Sequence, residues 1–138
     1  MDGIKKNFGF GFMRLPMQSG EVDIEETKRM VDAFLDAGFN YFDTAHGYVQ
    51  GKSEIMLKTC LVDRYPRDRY ILTDKLTENF FKTEADIRPL FESQLAACGV
   101  DYFDFYLMYA QTKDIFEYFK KCNAYETALE LKEEKTKE

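Results

Sequence analysis

The chain has 138 residues, of which 45% are hydrophobic and 16% aromatic, and its formal net charge at pH 7 is -6. This length and composition predict one domain over residues 1–138 with a single packed core. Because phosphate binding needs a clustered positive surface, the negative charge and the scattered Lys and Arg residues argue against nucleic acid or an anionic membrane as the main partner.

The sequence contains no segment typical of membrane insertion or export. No run approaches the roughly 20 apolar residues of a spanning helix, and the first residues lack the apolar stretch of a signal peptide. We therefore expect a cytoplasmic protein. The three cysteines, Cys60, Cys98 and Cys122, are odd in number and widely spaced. We expect them to be reduced thiols that pack on helix faces, and we expect no metal site.

In the first part of the chain, a short apolar run precedes a longer segment of helical period. The first strand is predicted near residues 7–12, with a turn at Ser19-Gly20. Asp23 and Glu26 form a D-x-x-E signal for the start of a helix, and Gly38 is expected to end it. The residues expected on the buried face of this helix are Met30, Val31, Phe34 and Leu35.

The same alternation continues through the middle of the chain. A second strand is predicted over residues 39–43, a second helix over 53–62 and a third strand over 70–73. The third helix precedes Gly99, and Pro89 is expected in its first turn, where a missing N–H does no harm. The apolar stripe predicted for this helix consists of Ile87, Leu90, Phe91, Leu95 and Cys98.

The last predicted unit is a strand over residues 102–108 followed by helix from Asp114 to about Glu134, with a break near Asn123. Strand–helix units that follow one another in this way indicate an α/β fold with a parallel sheet covered by helices. In such folds the functional loops lie at the carboxyl ends of the strands.

Polar side chains stand at three of the predicted strand ends. These are Asp43, Lys75 and Tyr109, and Tyr48 follows Asp43 in the same loop. An ammonium near a phenol stabilises the phenolate, so Lys75 would ease proton donation by Tyr48. Asp43 would hold Lys75 ionised, which makes a general-acid relay for a carbonyl oxygen. The alternative is that Asp43 caps its loop and merely pairs with Lys75. His46 is expected to make a local hydrogen bond rather than bind a metal.

Four ordered motifs resemble the aldo-keto reductase family. They are GFGFMRLP at residues 9–16, NYFDTA at 40–45 with Tyr48 and GKSE close behind, TDKL at 73–76, and GVDYFDFYLM at 99–108. The resemblance covers essentially the whole chain and matches the N-terminal half of that family's barrel. It implies a parallel (β/α)4 half of a TIM-type (β/α)8 barrel.

The resemblance also implies a function. It implies an NADP-dependent oxidoreductase that transfers hydride from NADPH to a small aldehyde or ketone, with Tyr48 as the proton donor. Lys75 and Asp43 would modulate Tyr48, and Tyr109 would occupy the fourth catalytic position. On the same resemblance, the nicotinamide ribose would face the side chain of Asp43 and the backbone of Gly11, Phe12 and Met13.

The chain departs from the family pattern in two places. The family has a histidine at the position of Tyr109, and a phenol can donate a hydrogen bond but is not an imidazole. The family also holds much of the cofactor's pyrophosphate and adenosine phosphate with loops that follow its last barrel strands, and these 138 residues do not include those strands.

A half-barrel raises the question of what covers its open side. Four strands expose two sheet edges and an inner apolar face, whereas eight close on themselves. We therefore expect a homodimer that completes eight strands, or a complementing C-terminal half. The alternative to an enzyme is a non-catalytic half-barrel that acts as an oligomerising or interaction module.

Overall fold

A parallel four-stranded sheet forms the centre of the computed structural model, which describes residues 3–136. The sheet order is the first, fourth, fifth and sixth strand, and every neighbouring pair is parallel. The elements in chain order are β1 (Gly9–Gly11), β2 (Met17–Gln18), β3 (Glu21–Val22), α1 (Ile24–Asp36), β4 (Tyr41–Asp43), α2 (Ser53–Leu57), β5 (Ile71–Leu76), α3 (Glu84–Cys98), β6 (Phe105–Met108), α4 (Lys113–Lys121) and α5 (Ala124–Thr136). The predicted α/β fold with a parallel sheet is confirmed.

Helix α1 begins at the predicted signal. The Asp23 carboxylate accepts a hydrogen bond from the N–H of Glu26 at 2.9 Å, which satisfies one of the free donors at the start of the helix. Val31 and Leu35 are buried, as predicted, but Met30 is 38% exposed. The expectation for Met30 was wrong because the buried stripe repeats every four residues and begins at Thr27.

Helix α2 continues beyond its regular part in a wider turn over Lys58–Val62. Leu57 and Leu61 lie one turn apart and are both fully buried, which confirms the predicted face. The helical segment over 53–62 therefore exists, although its last five residues do not keep the regular α geometry.

Helix α3 starts earlier than the sequence suggested. Thr83 and Asp86 form a capping box, so Glu84 is the first helical residue and Pro89 the sixth. Pro89 thus lies in the second turn rather than the first, where it removes a helical N–H donor. The C-terminal helical region is broken as predicted, with Asn123 at a φ of 54° between α4 and α5.

The core lies between the sheet and the helices. It includes Phe12, Phe42 and Leu72, which are fully buried. The three cysteines are free thiols and are also buried, as expected for packing residues. None of the helices within residues 3–136 combines the length and apolar character that crossing a bilayer requires.

The other face of the sheet is less covered. Leu107 on the edge strand β6 is 41% exposed, and Gly11 at the end of β1 is exposed. Because side chains alternate along a strand, the register places Gly11, Asp43 and Thr73 on one face. We call this the inner face of the sheet, and Lys75 shares it because it lies two residues after Thr73.

Candidate active site

An ion pair between a buried lysine and a partly exposed aspartate lies where β4 and β5 end. Lys75 Nζ donates to Asp43 Oδ2 at 2.7 Å and to the carbonyl oxygen of Thr44 at 2.6 Å. The Lys75 side chain is 5% exposed and that of Asp43 27%. The parallel register explains this contact, since Asp43 is paired with Thr73 and Lys75 follows on the same face.

Two tyrosines flank the ammonium of Lys75. Its Nζ lies 4.6 Å from the centre of the Tyr48 ring and 5.6 Å from that of the Tyr109 ring. Both distances fall within the range of cation–π attraction. The Tyr109 side chain is also among the groups that raise the pKa of Tyr48. The structure therefore brings together all four residues that the sequence proposed for catalysis.

The electrostatics of Tyr48 differ from the sequence expectation. Burial raises the pKa of Tyr48 above its usual range, and the neighbouring Tyr109 and the charge of Asp43 raise it further. The expected lowering by Lys75 was wrong, because the ammonium is bonded to Asp43 and Thr44 and faces the phenol ring. A raised pKa keeps Tyr48 protonated at neutral pH, the state in which it can act as a proton donor.

The turn after Tyr48 has a strained backbone. Val49 has φ 51° and ψ 46°, and Gln50 has φ 55° and ψ 37°. Left-handed conformations are uncommon outside glycine and are genuine outliers for a β-branched residue such as Val49. Such strain is found where surrounding contacts enforce a functional geometry. The residue types at these positions do not predict this strain, since neither position is a glycine or an asparagine.

Three buried polar groups hold the Asp43 loop against its neighbours. Ser53 Oγ donates to the carbonyl oxygen of Phe12 at 2.9 Å and lies 2.8 Å from Thr44 Oγ1. The N–H of Phe12 donates to the carbonyl oxygen of Asp43 at 2.8 Å. These bonds connect the end of β1, the loop after β4 and the start of α2, and so fix the position of the ion pair.

The residues proposed to face a cofactor divide into two groups. Gly11, Met13 and Asp43 reach the surface, with Met13 51% exposed and Asp43 27%. A Cβ added to Gly11 would meet no atom of the described residues within 4 Å, so the space beside its backbone is open to that part of the chain. Phe12 is different, because it is fully buried and both of its backbone polar groups are bonded within the protein. The geometry thus leaves room for a ligand beside Gly11, Met13 and Asp43, but not at Phe12.

His46 makes the local hydrogen bond that was predicted. Its Nδ1 lies 3.0 Å from Glu54 Oε2, and its ring meets that of Phe80 edge to face at 4.8 Å. The sequence reasoning did not anticipate that Glu54 is only 2% exposed or that Asp74 is fully buried. A signal was present in the adjacent acid and base at Asp74 and Lys75, since neighbouring residues of a strand point to opposite faces.

A sequence model of the aldo/keto reductase family matches residues 7–134 of the chain. Among curated relatives, an aldo-keto reductase of Mycolicibacterium smegmatis is 31% identical over 102 residues, which cover 72% of this chain and 34% of the relative. Norsolorinic acid reductase B of Aspergillus parasiticus is 35% identical over 74 residues, or 51% of this chain and 19% of that protein.

Solved structures show the same fold. An aldo-keto reductase from Pseudomonas aeruginosa superposes with a TM-score of 0.78 at 22% identity, covering 94% of this chain and 52% of that one. The holo form of an aldo-keto reductase from Bacillus halodurans gives a TM-score of 0.64 at 28% identity, with 84% and 41% coverage. The chain thus spans about half or less of the relatives it matches, and its fold is a (β/α)4 half of their TIM barrels. It belongs to the aldo/keto reductase family.

Proposed function

We propose that the protein is an NADP-dependent oxidoreductase that reduces a small aldehyde or ketone, with Tyr48 as the proton donor. One observation carries the proposal, namely the convergence of a phenol, an ammonium and a carboxylate at the carboxyl ends of neighbouring parallel strands. Lys75 Nζ lies 2.7 Å from Asp43 Oδ2 and 4.6 Å from the centre of the Tyr48 ring. Catalytic groups of parallel α/β folds occur at such strand ends.

Each residue has a distinct part in the proposed reaction. The Tyr48 hydroxyl gives its proton to the carbonyl oxygen as negative charge develops there. Asp43 and the carbonyl oxygen of Thr44 fix the Lys75 ammonium, whose positive charge favours the developing oxyanion. Tyr109 would help to position the Tyr48 phenol, since both rings flank the Lys75 ammonium.

NADPH, when bound, supplies the hydride. Gly11, Met13 and Asp43 would hold its nicotinamide end, since these residues border the open space at the end of β1. The choice of NADPH is supported by a solved aldo-keto reductase from Klebsiella pneumoniae in complex with NADPH. Phe12 would serve only as a packing residue beneath this space.

The test is a comparison of NADPH binding and turnover in three chains. NADPH fluorescence is followed on titration, and turnover is measured on a panel of small aldehydes. Tyr48→Phe should lose about 100- to 10,000-fold in turnover, the usual contribution of a general acid, and should still bind NADPH. Tyr102→Phe is the matched control because it removes a phenol hydroxyl outside the site. Full activity of Tyr48→Phe, or no response to NADPH in the wild type, would refute the proposal.

The open inner face favours a second candidate function, in which the chain pairs with a second copy to complete eight strands. Within residues 3–136, β1 and β6 each pair on one side only. Leu107 is 41% exposed on the inner face of β6. Exposed parallel edges beside apolar side chains are prone to pair with another chain. A twofold axis along the barrel would place each β6 beside the partner's β1.

Sedimentation velocity tests this pairing. We expect the wild type to sediment as a dimer and Leu107→Lys to sediment as a monomer, because a charge would be placed in the closed interior. Ile55→Lys is the control, since Ile55 is 51% exposed on α2, away from the inner face. A monomeric wild type, or a dimer that survives Leu107→Lys, would contradict the arrangement.

A further inference from the structure

Two carboxyl groups lie buried on the helix side of the sheet, behind Lys75. Asp74 on β5 is fully buried, and Glu54 on α2 is 2% exposed. Each of the two carboxyls is among the groups that shift the pKa of the other, so the two side chains are neighbours. Within the described residues 3–136, one oxygen of each has no hydrogen-bond partner, namely Glu54 Oε1 and Asp74 Oδ2. Two ionised carboxylates that are neighbours inside a protein would repel each other and would lose their hydration. Both effects disfavour a state in which Glu54 and Asp74 are ionised together.

The remaining oxygens of the pair are occupied by donors. Asp74 Oδ1 accepts from the N–H of Lys75 at 2.8 Å and from Gln94 Nε2 at 3.0 Å. Glu54 Oε2 lies 3.0 Å from His46 Nδ1. Every oxygen of the pair except Glu54 Oε1 and Asp74 Oδ2 is thus satisfied, and a single proton between those two atoms would satisfy both.

We propose that Glu54 and Asp74 share one proton in the folded protein, with Asp74 Oδ2–H donating to Glu54 Oε1. Asp74 is then the neutral acid, and Glu54 is an anion that accepts from Asp74 on one oxygen and from His46 on the other. The pair carries one negative charge instead of two. It links α2, β5 and the loop that contains His46.

The surroundings of the pair agree with a retained proton. Burial is the largest cause that raises the pKa of Asp74 well above its usual value, and the charge of Glu54 raises it further. Burial likewise raises the pKa of Glu54. Five other titratable groups bond to the pair or interact with it electrostatically. They lie in the loop after β4, on β5, on α3 and on β6, and they are His46, Tyr48, Lys75, Cys98 and Tyr106.

The shared proton would hold the strand end that carries Lys75. Asp74 binds the N–H of Lys75, and Gln94 binds both Asp74 and the carbonyl oxygen of Lys75 at 3.1 Å. Glu54 and Asp74 are therefore positioning residues for Lys75. That consequence rests on the proposed function, whereas the proton itself does not.

Unfolding as a function of pH tests the proton without reference to catalysis. A carboxyl whose pKa is raised on folding stabilises the native state at low pH, and that stability is lost as pH rises toward the native pKa. The unfolded carboxyls ionise near pH 4. Above about pH 5 and below the native pKa of Asp74, the pair should therefore raise the unfolding equilibrium constant about tenfold per pH unit, because the native chain holds one proton that the unfolded chain has released.

The matched variants are Asp74→Asn and Glu54→Gln. Each places an amide N–H where the shared proton lies, so each should fold, and each should lose this tenfold-per-unit contribution. Glu92→Gln on the exposed side of α3 is the control and should keep it. Histidines in general titrate in the same pH range and could add their own pH dependence. The pH slopes of the wild type and the variants are therefore compared again with His46→Gln present in every chain. Equal pH slopes for the wild type and Asp74→Asn would overturn the proposal.

Infrared spectroscopy of the wild type gives a second readout that needs no variant. At neutral pH, exposed carboxyls are ionised, so a carboxylic acid carbonyl band in the folded chain would report the retained proton. We expect this band to disappear on unfolding in urea at the same pH. The absence of such a band in the folded wild type would refute the shared proton. A failure of NADPH binding or turnover would leave both results unchanged, so the two proposals fail separately.

Discussion

Replacing Lys75 by Met should destabilise the chain by an amount that follows from its contacts. The substitution keeps most of the aliphatic volume but removes the donor to Asp43 Oδ2 and to the carbonyl oxygen of Thr44. Breaking a fully buried ion pair costs about 3–5 kcal/mol. Asp43 is 27% exposed, so water can replace part of the lost interaction. We therefore expect a loss of about 2–3 kcal/mol in the free energy of unfolding.

A double-mutant cycle isolates the contact from other effects of the substitution. The chains are the wild type, Lys75→Met, Asp43→Asn and the double variant, and the assay is urea unfolding with an unchanged m-value. We expect a coupling energy of about 1–2 kcal/mol.

The exposed pair of Lys58 and Asp63, with side chains 41% and 52% exposed, is the control. Its cycle should give only about 0.2–1 kcal/mol. A coupling for Lys75 and Asp43 no larger than that of this pair would refute the inference that the ion pair is buried and directly bonded.

Three further predictions concern the backbone, the polar loop contacts and the thiols. Gln50 is exposed at a φ of 55°, so Gln50→Gly should be more stable to urea than Gln50→Ala by about 1 kcal/mol; equal stability would contradict the strain. Ser53→Ala should cost about 1–3 kcal/mol in urea unfolding because it leaves buried polar partners unsatisfied, whereas the control Ser93→Ala, which breaks only a local bond to Leu90, should cost less than about 0.5 kcal/mol. Burial raises the pKa of the Cys98 thiol, so an alkylating reagent should label Cys98 slowly in the folded chain and rapidly in urea; fast labelling of the folded chain would contradict its burial.

The order and type of the elements could be read from the sequence because local signals agree with the tertiary fold. The cap at Asp23, the break at Asn123 and the apolar pairs of α2 each depend on near neighbours in the chain. The position of Pro89 could not be read in the same way. A capping box upstream of Pro89 starts the helix at Glu84, and tertiary packing then tolerates a missing N–H in the second turn.

The convergence of Asp43, Tyr48 and Lys75 could also be anticipated, because parallel strands bring their carboxyl ends to one edge. The direction in which the pKa of Tyr48 shifts on folding could not be anticipated from the sequence. That direction depends on whether the Lys75 ammonium points at the phenol oxygen or at the ring, and on how deeply the phenol is buried. Sequence spacing carries no information on either quantity, since both are set by side-chain packing across three separate segments.

The adjacent residues Asp74 and Lys75 show why chemistry in a strand must be assigned face by face. As neighbours they look like a simple ion pair, yet the strand sends Lys75 to Asp43 on the inner face and Asp74 to Glu54 and Gln94 among the helices. Each side thus contains a different polar cluster, with an ammonium bound to a carboxylate in one and two carboxyls around a proton in the other. Both clusters share the peptide group between Asp74 and Lys75, and the bond from the N–H of Lys75 to Asp74 connects them. The two faces are therefore coupled through this peptide group. Asp74→Asn should leave Lys75 in place, whereas Asp74→Leu should not, as judged by the coupling energy between Lys75 and Asp43 in each background.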